Sequence, residues 1–213
     1  DQPDQWISDV VSYIRNGLSN DASLISPQMV ASIRAKTADQ KIMYQFDKLS
    51  KIVPKEIVPV KEWKVTASHT FSTRIGGNVA PQSAFTYEGW STGAKQEKGM
   101  WYQIEFPNNM AITEINFTSP ASIKRGWRPD PKAPPGPPPM ISTYPKTYDI
   151  ETSTDGNTWE TIVNKQSGKD GENTISFNAI PAKFLRIKLI EPLVSTTDDL
   201  QWTMRSVKIF GIK

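Results

Sequence analysis

Near the N-terminus the hydrophobic positions recur at helical spacing. Trp6, Ile7, Val10, Val11, Ile14 and Leu18 fall on one stripe over residues 4–18, with Asp4 placed to cap the start and Asn16-Gly17 to stop it, which predicts a short amphipathic helix. Ser26-Pro27 is an N-cap followed by proline at the first helical position, and Val30 and Ile33 then share a face through Arg34. Ile42, Phe46 and Leu49 repeat the helical spacing once more, although an irregular segment would satisfy the same pattern. Helices this short cannot close a core of their own and are expected to pack on something else.

The period changes further along. From Lys51 to Lys61 the sequence KIVPKEIVPVK alternates apolar residues with lysine and proline, which predicts an extended connector. We therefore divide the chain into a helical segment, 1–50, a linker, 51–61, and a β domain, 62–213. Within the last, Tyr102, Ile104 and Phe106 alternate with Gln103 and Glu105; Leu185, Ile187 and Leu189 alternate with Arg186 and Lys188; Val207 and Ile209 do so near the end. Further strands read at 63–68, 111–118, 148–153, 159–163 and 174–178, with Asp155-Gly156 as a tight-turn signal. Many short strands without helical spacers predict a mainly β fold, an antiparallel sandwich. The stretch from Pro120 to Pro145 is the exception: RGWRPDPKAPPGPPPMISTYP is too long for a hairpin loop and too stiff for a flexible linker.

Composition removes several functions. The absence of cysteine excludes disulfide frameworks, thiolate nucleophiles, zinc–thiolate sites and covalent haem attachment within these residues. A formal charge of +3, with basic and acidic residues interspersed, argues against nucleic acid as a partner. No apolar run approaches the length of a membrane span, about 20 residues. The start at Asp1, without an initiating Met, is expected of a processed chain or an excised piece and leaves export open.

Five segments stand in a telling order: EWKVTASH, GWSTGAKQEKGMWYQIEFPN, YPKTYDIETSTDGNTW, AKFLRIKLIEP and QWTMRSVKIFGI. In that order, residues 62–213 resemble the discoidin family, the factor V and VIII C-type domains, whose bacterial members include carbohydrate-binding module family 32. The resemblance implies a jelly-roll sandwich, no catalysis, and a carbohydrate ligand held by loops at the end opposite the chain termini. Residues 3–36, especially SYIRNGLSNDASLISPQMVASIRAKT, resemble the last helix and exit segment of a bacterial cytochrome c domain. This implies a larger exported bacterial protein, haem-containing or carbohydrate-active, with this chain at its C-terminus and any haem in an upstream domain. Periplasmic or cell-surface localisation follows from the same resemblances.

Counting strands under that resemblance places three segments at the ligand end: the loop after the first strand, residues 119–144, and residues 198–203. His69, the only histidine, ends the first strand, as a ligand contact or as a half-buried strand-end residue. Arg74 follows it, and its fork of donors suits hydroxyls or a carboxylate; it suits solvent equally. Arg125, Trp127 and Arg128 combine a flat apolar ring with charged donors, the pairing a sugar requires, although Trp127 folded back over the prolines is the competing reading. Tyr144 and Trp202 complete the candidate set, Trp202 being weighed also as core. Trp63, Trp101 and Trp159 read as core, and Trp90 as a plug of the sandwich.

Many relatives hold a calcium ion with an acidic loop before the turn tryptophan and a glutamate on the final strand. Here SAFTYEG offers only Glu88, and the last strand has Ser206 and Lys208, so neither calcium nor any other cofactor is expected in the chain. The acid pairs Asp198/Asp199 and Asp149/Glu151 read as solvated surface groups, so no catalytic residue is assigned. The sequence thus supports a carbohydrate-binding module. The alternative is an interaction module that docks on its parent protein's upstream domain through the proline-rich loop.

Overall fold

A computed structural model describes residues 2–16, 24–38, 53–58, 61–72, 80–123, 128, 132, 136–196 and 198–212. The chain divides into two compact units, Asp1–Val53 and Pro54–Lys213.

In the first unit, α1 (Asp4–Asn16) and α2 (Pro27–Lys36) form where the apolar spacing predicts them. Ser26 caps α2, its Oγ accepting from the Met29 N–H at 3.2 Å. Asp4 does not cap α1. It lies inside the first turn, where its carboxylate pairs with Arg34 of α2 at 3.1 Å. Ser8 and Ser12 both donate to the Ile25 carbonyl, at 2.6 and 3.2 Å, which fixes the entry to α2 against α1. The third candidate helix, around Ile42, Phe46 and Leu49, lies outside the described residues. No helix among the described residues is long and apolar enough to cross a membrane.

The second unit is an antiparallel sandwich. Its strands are β1 (Lys55–Ile57), β2 (Lys64–Ala67), β3 (Trp90–Lys95), β4 (Trp101–Ser119), β5 (Ser122–Ile123), β6 (Met140–Ile141), β7 (Thr147–Ser153), β8 (Glu160–Ser167), β9 (Gly171–Glu191) and β10 (Gln201–Ile212). A 3-10 turn at Pro81–Phe85 precedes β3. Two long strands, β4 and β9, make the two layers. Their pairing slips in register between Glu105 and Met110; the first half of β4 pairs with β2, the second half with β10. One layer is therefore β2, β4, β9, β7, β8, and the other is β1, β10, β4, β9, with β3 paired to β10.

Part of the expected linker belongs to this fold. Lys55–Ile57 pairs with Ile209–Gly211 as an edge strand, because its alternation continues the sheet while the flanking prolines stop it from extending.

The inward positions fill the space between the layers: Tyr102, Ile104 and Phe106 from β4, Leu185, Ile187 and Leu189 from β9, Tyr148 and Ile150 from β7, all at most 1% exposed. In β10 the buried set is Trp202, Met204, Val207 and Ile209, so the alternation skips one residue. A bulge at Arg205 and Ser206, with Ser206 at φ +53°, absorbs the skip and keeps both halves of the strand facing inward.

Trp63 and Trp90 are buried, but Trp101 and Trp159 are not core. Strand parity turns Trp101 outward next to inward Tyr102, and the Arg186 guanidinium lies between the two indoles, 5.2 Å from Trp101 and 3.6 Å from Trp159. Arg186 also donates from Nε and Nη2 to Gln103 Oε1, at 3.1 and 2.7 Å. Beside it Glu151 is only 6% exposed, held by Lys188 at 3.0 Å and Arg186 at 3.6 Å. The expectation of a solvated acid fails there because the Lys188 and Arg186 side chains cover the carboxylate.

Asp155 and Gly156 turn the β7–β8 hairpin as predicted, with Gly156 at φ +79°. The Asp155 carboxylate accepts from the N–H groups of Thr158 and Asn157, both at 2.8 Å, and from Ser153 Oγ at 2.9 Å. These bonds hold its pKa down at about 2. A depressed folded pKa stabilises above the unfolded value, about 3.9, and that contribution disappears as pH falls through the folded one. Thermal scans from about pH 5 to about pH 2 should therefore show a steeper loss of Tm in the wild type than in Asp155→Asn. Parallel curves would remove Asp155 from the acid response.

Candidate functional site: a pocket at one end of the sandwich

A cavity of about 400 Å3 opens where the end of β2, the β5–β6 ribbon and the start of β10 meet. The three segments that sequence counting sends to the ligand end thus converge on one pocket. Phe71 forms one wall. Its backbone N–H donates to the Ser91 carbonyl at 2.9 Å, and the residue remains 41% exposed. Gly93 makes this approach possible: at φ +66°, a Cβ there would stand 2.6 Å from the Phe71 Cα.

The opposite wall is the ribbon. Ile123 pairs with Met140 and Ser122 with Ile141, and Thr143 beyond it is fixed by donating to the Pro120 carbonyl at 2.5 Å. Polar groups occupy the floor and rim. Ser91 Oγ donates to Gln201 Oε1 at 2.9 Å, which orients the amide and leaves its NH2 without a protein acceptor among the described residues. Asp199 stands at the rim, 83% exposed, with Lys95 3.9 Å away; a pair so exposed contributes little to stability and leaves the carboxylate open to a ligand.

Gln96, 3% exposed, ties the pocket together. Its Nε2 donates to the carbonyls of Tyr144 and Gln201, at 3.0 and 3.2 Å, while its Oε1 accepts from the Leu193 N–H at 2.9 Å. One buried amide joins two loops to the start of β10.

Of the candidates from the sequence, His69 is exposed after β2 with its Nδ1 3.1 Å from Ser68 Oγ, outside the pocket wall. Arg128 is exposed, and Arg74, Arg125 and Trp127 lie outside the described residues. Tyr144 is half-buried and contributes its carbonyl to the Gln96 clamp. Trp202 is corrected to core. It is fully buried, 5.3 Å from Trp90 in an edge-to-face pair, and offers no surface to a ligand. Phe71, Ser91, Gln96 and Gln201 were not legible as site residues; only the aromatic in the His69 loop carried a signal, since a sugar site needs a ring. Among the described residues no three His, Cys, Asp or Glu side chains gather to hold a metal ion.

Residues 75–187 match the family model described as a NedA-like, galactose-binding domain, of F5/F8 type C. The chain belongs to the NedA-like, galactose-binding domain family. A search of curated proteins gives no match. Among solved structures, this galactose-binding-like chain is similar to the family 32 carbohydrate-binding module of Clostridium perfringens NanJ, solved in complex with galactose. The two share 13% identity and a TM-score of 0.52, over 74% of this chain and 99% of the other. It is also similar to a mutant of chitosan-binding module 1 from a chitosanase/glucanase of Paenibacillus sp. IK-5, at 17% identity and TM-score 0.50, over 70% and 95%. Both likenesses establish the fold. A galactose-binding-like domain is thereby a jelly-roll sandwich of the carbohydrate-binding-module type, in agreement with the discoidin resemblance read from the sequence.

Proposed function

We propose that the β unit is a non-catalytic carbohydrate-binding module whose ligand enters the pocket between Phe71 and the β5–β6 ribbon. The observation that carries this reading is the pocket's composition: an exposed ring, an oriented amide with free donors and a solvent-facing carboxylate converge from segments far apart in sequence. A pyranose has the complementary surface, C–H groups on one face and paired hydroxyls at its edge. His69, Arg74, Arg125, Trp127, Arg128 and Tyr144 are assigned to the surround of this pocket by their place in the chain. Galactose in the NanJ module and chitosan for the Paenibacillus module motivate the ligand class. In this reading the module belongs to a larger exported bacterial protein and holds it on polysaccharide at the periplasmic or outer surface. The cytochrome c-like segment, 3–36, supports a haem-containing parent.

Titration of the full chain with a panel of neutral, amino and acidic glycans at millimolar concentration is expected to give saturable binding to at least one. Phe71→Ala should weaken that binding by at least about tenfold, or about 1.4 kcal/mol. Gly93→Ala should act similarly, since the new Cβ displaces the Phe71 backbone rather than the flexible end of a side chain. A folded wild type that ignores the whole panel would end the proposal.

A further inference from the structure

We infer that the loop before Trp90 is clasped to the final strand by the chain's own cation, Arg205, rather than by a metal ion. Three contacts close the clasp. The Ser206 N–H donates to the Thr86 carbonyl at 3.0 Å, the Arg205 guanidinium lies 4.5 Å from the Tyr87 ring centroid, and Gly89 packs flat on the Met204 backbone. The last contact needs glycine: φ is +79°, and a Cβ would stand 2.8 Å from the Met204 oxygen. The positive φ of Ser206 turns its N–H toward the loop, so the bulge that corrects the core alternation also makes the clasp.

The donors present do not suit a divalent cation. A calcium ion takes six to eight oxygens with carboxylate help. Here the Thr86 carbonyl already accepts from Ser206, and the Ser83 carbonyl accepts from both the N–H and the Oγ1 of Thr86, at 2.9 and 2.8 Å. Glu88 is exposed, and β10 brings the cation Arg205, not an acid, to the loop. A guanidinium beside the loop repels an incoming metal ion while supplying the positive charge itself.

The consequence reaches the pocket. Trp90 pairs with Met204 and Ser91 with Thr203, so the clasp sets the start of β3, which in turn positions Ser91 and Phe71.

The test is a comparison of Tm for the full chain in millimolar calcium chloride and in EDTA. The expected result is the same Tm in both. A saturable rise of several degrees with calcium would overturn the inference. Arg205→Met and Tyr87→Leu should each lower Tm by about 2–4 °C, with the double variant falling no further than the worse single one. Additive losses would show that the two side chains act separately and would equally overturn it. Should either variant fail to fold, the calcium comparison on the wild type decides alone.

Discussion

Trp202→Ala is expected to cost about 3–5 kcal/mol, the range for removing a large aromatic from a closed core, and to lower Tm by at least about 6 °C. Trp202 is fully buried, meets Trp90 edge-to-face and sits beside Met204 in the first half of β10. Deletion of its ring leaves Trp90 without its partner, and Trp90 itself packs on Tyr102 at 5.0 Å. The loss should therefore spread through the aromatic centre of the sandwich. Trp202→Phe is expected to be much milder than its lost area implies. The indole N–H of Trp202 finds no acceptor among the described residues, so phenylalanine removes an unsatisfied buried donor along with the missing atoms. Urea unfolding of the three proteins checks both expectations. If alanine costs less than about 1 kcal/mol, Trp202 is not the core residue described here.

Trp202 also illustrates what the sequence could reveal. Its fold-level information is local: period-two alternation in β4, β9 and β10, the Asp155-Gly156 turn and the Ser26-Pro27 cap each depend on neighbours a few residues apart, and each forms where expected. The phase change at Arg205 and Ser206 is local too, yet a search for unbroken alternation passes over it. The site depends on distant partners. Nothing near Gln96 in sequence announces that its amide will meet Tyr144, Leu193 and Gln201, and nothing near Ser91 announces Gln201, 110 residues away. Strand counting could therefore bring three separated segments to one pocket, whereas Trp202, weighed both as a ligand contact and as core, is turned inward by parity. Glu151 fails in the opposite direction: outward parity predicts solvation, but Arg186 and Lys188 of β9 close over it. Trp101, expected in the core, is turned outward by parity and meets Arg186 instead.

Gln96→Leu is expected to damage both stability and ligand binding, because one substitution removes the side-chain hydrogen bonds of three backbone groups. The carbonyls of Tyr144 and Gln201 and the N–H of Leu193 each lose their side-chain hydrogen bond. Each buried group left unpaired costs about 1–3 kcal/mol, and water reaching the loop end recovers part of it, so a total of about 3 kcal/mol is expected. Leucine is close to glutamine in volume, which separates this loss from a packing defect. The distribution of the damage is the sharper test. The three segments tied by Gln96 adjoin the pocket, whereas no bond links it to the β7–β8 hairpin among the described residues; hydrogen exchange should accelerate around 143–145, 192–194 and 200–202 and stay unchanged around Asp155. Under the proposed function, glycan affinity should fall by more than the tenfold expected of Phe71→Ala, since Gln201 loses its seat as well as its partner. Gln96→Glu keeps the acceptor that holds Leu193 but replaces the donors to two carbonyls with a negative charge facing them, and should be at least as damaging as leucine. Retained affinity in a folded Gln96→Leu protein would separate the binding surface from this pocket altogether.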